Sequence, residues 1–267
     1  MNRIIFLGAG NMAYAILGGL LKSGVDAADC RAIDPSAQAQ TNMQNLGIQC
    51  SELWPDDFDA DAVVLAVKPQ LMKDVLNTHG GEFEGRLVIS IAAGVSVDQI
   101  RQWSGQPDAR VVRCMPNTPA LVGQGLSGLY LTDNCSTADR SSAVRLFETC
   151  GQVLVLNQED QINAITAISG SGPGYVFYWM EALAQAARDL GFDDASADLL
   201  VRQTLLGSAT LASQSTEALS TLRERVTSKG GTTFAGLEAM RAAQVGPGIV
   251  QGAQAAMARA IELQNGS

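Results

Sequence analysis

Short apolar runs recur along the first part of the chain, each followed by a mixed-polarity stretch of helix length. Residues 4–7, 31–33, 63–67, 87–91 and 111–114 read as strands, with later ones at 128–131 and 153–156. Helical spacing fits 12–23, 37–46, 70–77 and 97–103 between the first five. Strands that are apolar almost throughout, alternating with helices, predict a parallel sheet covered on both faces. Right-handed crossovers then make a doubly wound arrangement the default.

Past residue 156 the pattern changes. Residues 160 to 267 hold no strand signal and much Ala and Leu, and helical spacing fits 175–190, 197–212, 217–225, 233–243 and 249–264. Pro173 suits a first helical turn, while Gly230-Gly231 and Gly246-Pro247-Gly248 read as breaks. The expected organisation is an α/β domain over 1–157 followed by an all-helical domain over 158–267, both within ordinary domain sizes.

Composition narrows the chemistry. The 267 residues carry 18 Lys+Arg against 27 Asp+Glu, a net charge of -9 that disfavours nucleic acid as a partner. His79 is the one histidine and Lys22, Lys68, Lys73 and Lys229 are the lysines, so a His-rich metal site is excluded and no metal is expected. Five scattered cysteines without a C-x-x-C pair read as reduced thiols of a cytoplasmic protein. No apolar stretch reaches the ~18 residues of a membrane span, and the apolar run after Arg3 is too short for a signal peptide.

The first strand leads into Gly8-Ala9-Gly10-Asn11-Met12-Ala13. In such a G-x-G-x-x-A turn Gly8 permits the tight bend, Gly10 admits a pyrophosphate, and Ala13 lets helix and strand pack closely. The helix N-terminus adds free N–H groups and positive dipole. Ligands of such sheets lie beyond the carboxyl ends of the strands. Those ends carry Asp34-Pro35-Ser36, Lys68-Pro69, Ala92-Ala93-Gly94 and Met115-Pro116-Asn117-Thr118-Pro119. The N-terminal domain is therefore expected to be Rossmann-like and to bind a nicotinamide dinucleotide. Asp34 either accepts from a ribose 2′-OH, which favours NADH, or caps the following helix. Ser36 could donate to a phosphate, with Arg31 or Lys73 within reach, so NADH and NADPH both stay open.

In the helical half, Val226-Thr227-Ser228-Lys229-Gly230-Gly231-Thr232-Thr233 joins two helices. Successive glycine N–H groups before a helix N-terminus suit a substrate carboxylate, and the hydroxyls of Ser228, Thr232 and Thr233 could reach a reacting nitrogen. Ordinary helix caps at Gly230 and Thr232 would account for part of the same composition. Tyr175, Tyr178 and Trp179 read as core, and His79 as a residue at the C-terminal end of a helix.

Together, Gly8-Ala9-Gly10-Asn11-Met12, Ala66-Val67-Lys68-Pro69, Ala92-Ala93-Gly94-Val95, Met115-Pro116-Asn117-Thr118-Pro119, Ser169-Gly170-Ser171-Gly172-Pro173 and Thr227-Ser228-Lys229-Gly230-Gly231-Thr232-Thr233 resemble pyrroline-5-carboxylate reductase across nearly the whole chain. The resemblance implies reduction of Δ1-pyrroline-5-carboxylate to L-proline with NADPH or NADH, the last step of proline biosynthesis. It implies that Ala66, Val67, Lys68, Pro69, Ala93 and Asn117 border the cofactor. Gly230, Gly231 and Thr232 would hold the substrate carboxylate, with Val226 and Ser228 beside it, and Thr233 would bond the ring nitrogen. It further implies a homodimer through the helical domain and a ring of dimers. The chain departs from many relatives at Asp34-Pro35, where they carry a basic or small polar residue.

Two rival functions are a β-hydroxyacid dehydrogenase-like oxidoreductase and a non-catalytic NAD(P)-binding sensor. The first needs a helix-borne catalytic lysine, whereas Lys229 lies in a predicted loop. The second has no use for another anion site in the helical half.

Overall fold

The computed structural model describes residues 3–265. The chain runs β1 (Ile4–Leu7), α1 (Asn11–Lys22), β2 (Cys30–Ile33), α2 (Ala37–Asn45), β3 (Gln49–Ser51), β4 (Ala62–Leu65), α3 (Pro69–His79), β5 (Leu87–Ser90), α4 (Val97–Ser104), β6 (Arg110–Met115), β7 (Gly125–Leu131), α5 (Thr137–Glu148) and β8 (Gly151–Val155). It continues through α6 (Gln161–Ile165), a π-helical turn at Thr166–Gly170, α7 (Gly172–Asp189), α8 (Asp194–Gln214), α9 (Leu219–Arg225), α10 (Thr232–Ala242) and α11 (Val245–Gln264).

The strands form one sheet in the order β3-β2-β1-β4-β5-β6-β7-β8. Alternate residues of each strand feed two cores. Ile4, Phe6, Ala62, Val64, Leu87 and Ile89 pack on one face, while Ile5, Leu7, Val63, Leu65 and Val88 pack on the other. Burial on both faces is why these segments are apolar without alternation. The parallel expectation fails at one place: β6 and β7 pair antiparallel. Residues 116–124 between them hold only a 3₁₀ turn, too short for the dozen or so residues of a parallel crossover. The sheet then returns to parallel pairing between β7 and β8, across α5.

Two compact units emerge. One runs through Ser171 and takes back the end of α11 from Ala256; the other is Gly172–Ala255. The first unit thus extends past the expected limit at residue 157, because Ile162 and Asn163 of α6 are buried and Ile165 lies on the sheet over Gly128. A Cβ at Gly128 would sit 2.9 Å from the Ile165 side chain. At the other end, Leu263 and Gln264 lie against Gly94, and the Gln99 side chain donates to the Gln264 carbonyl. Gly246-Pro247-Gly248 does not break a helix but falls in the first turn of α11, after the left-handed Gln244 (φ 57°).

The second unit has little interior of its own. Among its described residues α7, α9 and α10 bury none, and α8 buries only Ala197 and Val201. Tyr178 is 76% exposed, and Phe177, Leu206 and Leu211 are also exposed. Tyr178 and Trp179 are therefore not core within one chain, contrary to the expectation from their spacing. Among the described residues no helix is long and apolar enough to cross a membrane.

Candidate active site

In the first unit, the turn after β1 is built around Gly8. Its φ is +98°, and a Cβ there would lie 2.6 Å from the Ala66 carbonyl oxygen and 2.8 Å from the Val67 nitrogen. Only glycine lets β1 and β4 end so close together, which brings Ala66 and Val67 beside the Gly8–Gly10 turn. Gly10 differs: it is exposed, and a Cβ would meet nothing within 4 Å. It is also the N-cap of α1, with no side-chain cap hydrogen bond. Asn11 and Met12 supply the first N–H groups of α1, and Asn11 is exposed. Such a helix start suits a pyrophosphate, and Ala13, 1% exposed, lets α1 lie on the sheet.

Around this turn stand the other strand ends. Lys68 is the N-cap of α3, with Pro69 in its first turn and no side-chain cap. Ala93 precedes the left-handed Gly94, half-buried in the turn after β5. Asp34 Oδ2 accepts from the Ala9 N–H at 2.8 Å and its Oδ1 accepts from the Ser36 N–H at 2.9 Å. Ser36 is the cap of α2, its hydroxyl accepting from the Ala39 N–H. The cap of α2 is therefore Ser36, and Asp34 acts on the cap residue and on the Gly8–Gly10 turn.

The Asn117 side chain is bonded within the protein. Its amide nitrogen donates to the Ser169 carbonyl at 3.1 Å, and its oxygen accepts from the Leu126 N–H at 2.9 Å. Both ends of the amide thus hold protein together. Gly170 sits against Met115, whose methyl would be 2.7 Å from a Cβ at that position. The loop after β6 and the Ser169–Gly170 segment therefore meet. That segment is the π-helical turn, closed by the Ser171 N–H donating to Thr166 O at 2.8 Å. Single π-turns of this kind are frequent at functional sites.

Sequence inspection missed a supporting pair below this face. Arg113, 1% exposed, donates to Glu159 Oε1 at 2.8 Å, and the same oxygen accepts from the Val97 N–H that opens α4. Burial pushes the Arg113 guanidinium below its ordinary value, while the hydrogen bond and charge of Glu159 act in the other direction. An arginine inside an otherwise apolar strand was the available signal. His79 ends α3 beside Trp54, and burial lowers its pKa against the opposing charge of Glu82.

In the second unit the segment from Val226 to Thr233 is an exposed turn between α9 and α10. Val226 caps α9. Gly230 is left-handed (φ 72°), and the Gly231 N–H donates to the Ser228 carbonyl at 3.0 Å. The expectation of a free Gly231 N–H is therefore corrected, because closing the Ser228–Gly231 turn uses that donor. A Cβ there would sit 2.4 Å from Ser228 Oγ, so the Ser228 hydroxyl would have to turn away to admit one. Gly231 is the N-cap of α10 and offers no side-chain cap. Thr232 and Thr233 open α10, and both are exposed.

Comparison with known proteins follows this division. The family model described as "Pyrroline-5-carboxylate reductase dimerisation" matches residues 159–263. The one described as "NADP oxidoreductase coenzyme F420-dependent" matches residues 3–94. A pyrroline-5-carboxylate reductase of Pseudomonas aeruginosa is 43% identical over 98% of this chain and 96% of its own. One from Arabidopsis thaliana is 32% identical over 98% of this chain and 95% of its own. Among solved structures, a pyrroline-5-carboxylate reductase from Coxiella burnetii superposes with TM-score 0.91 at 36% identity, covering 98% of both chains. A Plasmodium falciparum pyrroline carboxylate reductase with NADP bound gives TM-score 0.86 at 26% identity, again over 98% of both chains.

Proposed function

The chain belongs to the pyrroline-5-carboxylate reductase family, and from that premise we propose how its two units divide the reaction. It is an NAD(P)H-dependent oxidoreductase that reduces the C=N bond of Δ1-pyrroline-5-carboxylate to give L-proline, the closing step of proline biosynthesis.

The observation that carries the proposed division is that each unit opens one helix at a glycine with no side-chain cap, α1 at Gly10 and α10 at Gly231. Four other helices, α2, α4, α5 and α8, are capped by Ser36, Ser96, Ser136 and Asp193, while α3, α6 and α9 lack a side-chain cap but start after Lys68, Asp160 and Ala218, not glycine. Open helix starts recognise anions, and the reaction brings two: a dinucleotide pyrophosphate and a substrate carboxylate.

The residues of the first start fit a nicotinamide dinucleotide, since Gly8 packs the turn and Gly10 leaves its outer side open. Gly10, Asn11 and Met12 would hold its phosphates, with Ala66 to Pro69 and Ala93 along its flank. When bound, the cofactor supplies the hydride. The chain's own work is positioning. Thr232 and Thr233 present backbone N–H groups to the substrate carboxylate, and Gly230 and Ser228 shape the turn that aims them. The Thr233 hydroxyl bonds the ring nitrogen and fixes which carbon is presented. A cyclic imine is already electrophilic, so orientation supplies most of what catalysis needs. No histidine or lysine acid is required, which agrees with a site made of hydroxyls and amides.

The helical unit is the dimerisation unit, in keeping with its family match and its thin interior. Further assembly into a ring of dimers, and work in the cytoplasm with its thiols reduced, complete the proposal. Oxidation of NAD(P)H by the purified protein tests the reaction: it should proceed with pyrroline-5-carboxylate and not with 3-oxo acids. The opposite pattern would favour the hydroxyacid dehydrogenase alternative, and tight NAD(P)H binding with no turnover would favour a sensor.

A further inference from the structure

Asp34 is fixed from several directions. Its two carboxylate oxygens accept from the Ala9 and Ser36 N–H groups, at 2.8 and 2.9 Å. Its backbone N–H donates to Ser51 O, and its carbonyl accepts from Gln40 Nε2. The carboxylate is thereby pinned between the glycine turn that precedes α1 and the residue that caps α2. One of its oxygens sits on the Ser36 N–H, at the residue that caps α2.

Cations are scarce in the sequence that follows it. From Ala32 to Val67 the chain has no Lys, Arg or His, and it has six acids: Asp34, Glu52, Asp56, Asp57, Asp59 and Asp61. Arg31 is committed elsewhere. Its Nη1 donates to the carbonyls of Ala28 and Cys30, and its guanidinium stacks 4.7 Å from the Phe58 ring centroid.

We propose that Asp34 is the cofactor-specificity residue of this chain and selects NADH over NADPH; the inference rests on the Gly8–Gly10 turn being the dinucleotide site. A carboxylate has about four acceptor positions, and two remain after the backbone bonds. A ribose 2′-OH donates to such an oxygen. A 2′-phosphate offers no comparable donor and would bring its negative charge against the Asp34 carboxylate. The NADP bound by the Plasmodium falciparum relative makes the distinction a property of this chain and not of the fold.

Calorimetric titration of the purified protein with NADH and with NADPH tests this, alongside steady-state kinetics with each. The wild-type protein should bind NADH at least tenfold more tightly than NADPH, and Asp34→Ser should narrow that ratio at least tenfold, chiefly by tightening NADPH. Asp34→Asn removes the charge and keeps an oxygen for one backbone donor, so it should narrow the ratio too while guarding against collapse of the turn. Equal or tighter NADPH binding by the wild type, or an unchanged ratio in folded Asp34→Asn, would overturn the inference and leave the dinucleotide site standing. Binding of neither nucleotide would overturn the site itself, and the inference with it.

Discussion

The side-chain amide of Asn117 donates to the Ser169 carbonyl at 3.1 Å, joining two loops 52 residues apart in sequence. Its oxygen accepts from the Leu126 N–H at the start of β7. One side chain therefore ties the antiparallel step of the sheet to the π-helical turn that precedes α7.

Replacing Asn117 with Ala strands the half-buried Leu126 N–H and the Ser169 carbonyl. The expected loss is about 1–3 kcal/mol of unfolding free energy in urea. Asn117→Asp keeps the acceptor for Leu126 and should lose less. Equal stability of wild type and Asn117→Ala would show that the tie is incidental.

Gly8 and Gly10 should respond differently to the same added methyl group. Gly8→Ala puts a Cβ against Ala66 at a positive φ and should cost roughly 2–4 kcal/mol. Gly10→Ala enters open space, so the protein should melt near the wild-type temperature yet bind NAD(P)H at least tenfold more weakly. Parallel thermal unfolding and cofactor titration separate the two roles. A Gly10→Ala protein with unchanged affinity would remove Gly10 from the cofactor site.

Thr233 is exposed within one chain, so Thr233→Ala should change stability by no more than about 0.5 kcal/mol. Loss of a hydrogen bond to the reacting nitrogen should nevertheless lower kcat/KM for pyrroline-5-carboxylate by roughly 10–100-fold. Thr233→Ser should recover much of it. Unchanged kinetics in the alanine variant would take Thr233 out of the site.

Phe177 and Leu206 are 61% and 63% exposed in the single chain. If the helical unit is the dimer surface, the double variant Phe177→Glu/Leu206→Glu places charges where burial is required. Light scattering should find the wild type at an even multiple of the 28.0 kDa chain mass, at least twice it, and the variant near that single mass. A dimeric, normally folded variant would place the interface elsewhere.

Much of this was legible in the sequence because strands buried on both faces leave apolar runs that need no partner to be recognised. Edge strand β3, with the sequence Gln-Cys-Ser, has no such run and was missed. Helix α5 was missed as well, although Ser136 and Asp139 form a capping box at the spacing that announces a helix start. The antiparallel turn at β7 depends on the brevity of residues 116–124, which says more about strand direction than the strands' own composition does. At the site, sequence located the glycine turns but not how their donors are spent. Gly231 uses its N–H on Ser228, and Asn117 uses its amide on Ser169 and Leu126, because closing a loop competes with offering a group to a ligand.

The most direct test of the central claim follows the hydride itself. Incubation with pyrroline-5-carboxylate and NADH or NADPH deuterated at both C4 positions should yield L-proline carrying one deuterium at the carbon of the former C=N bond. One proline should form per cofactor oxidised. Cofactor oxidation without labelled proline, or no turnover with either nucleotide, would contradict the account.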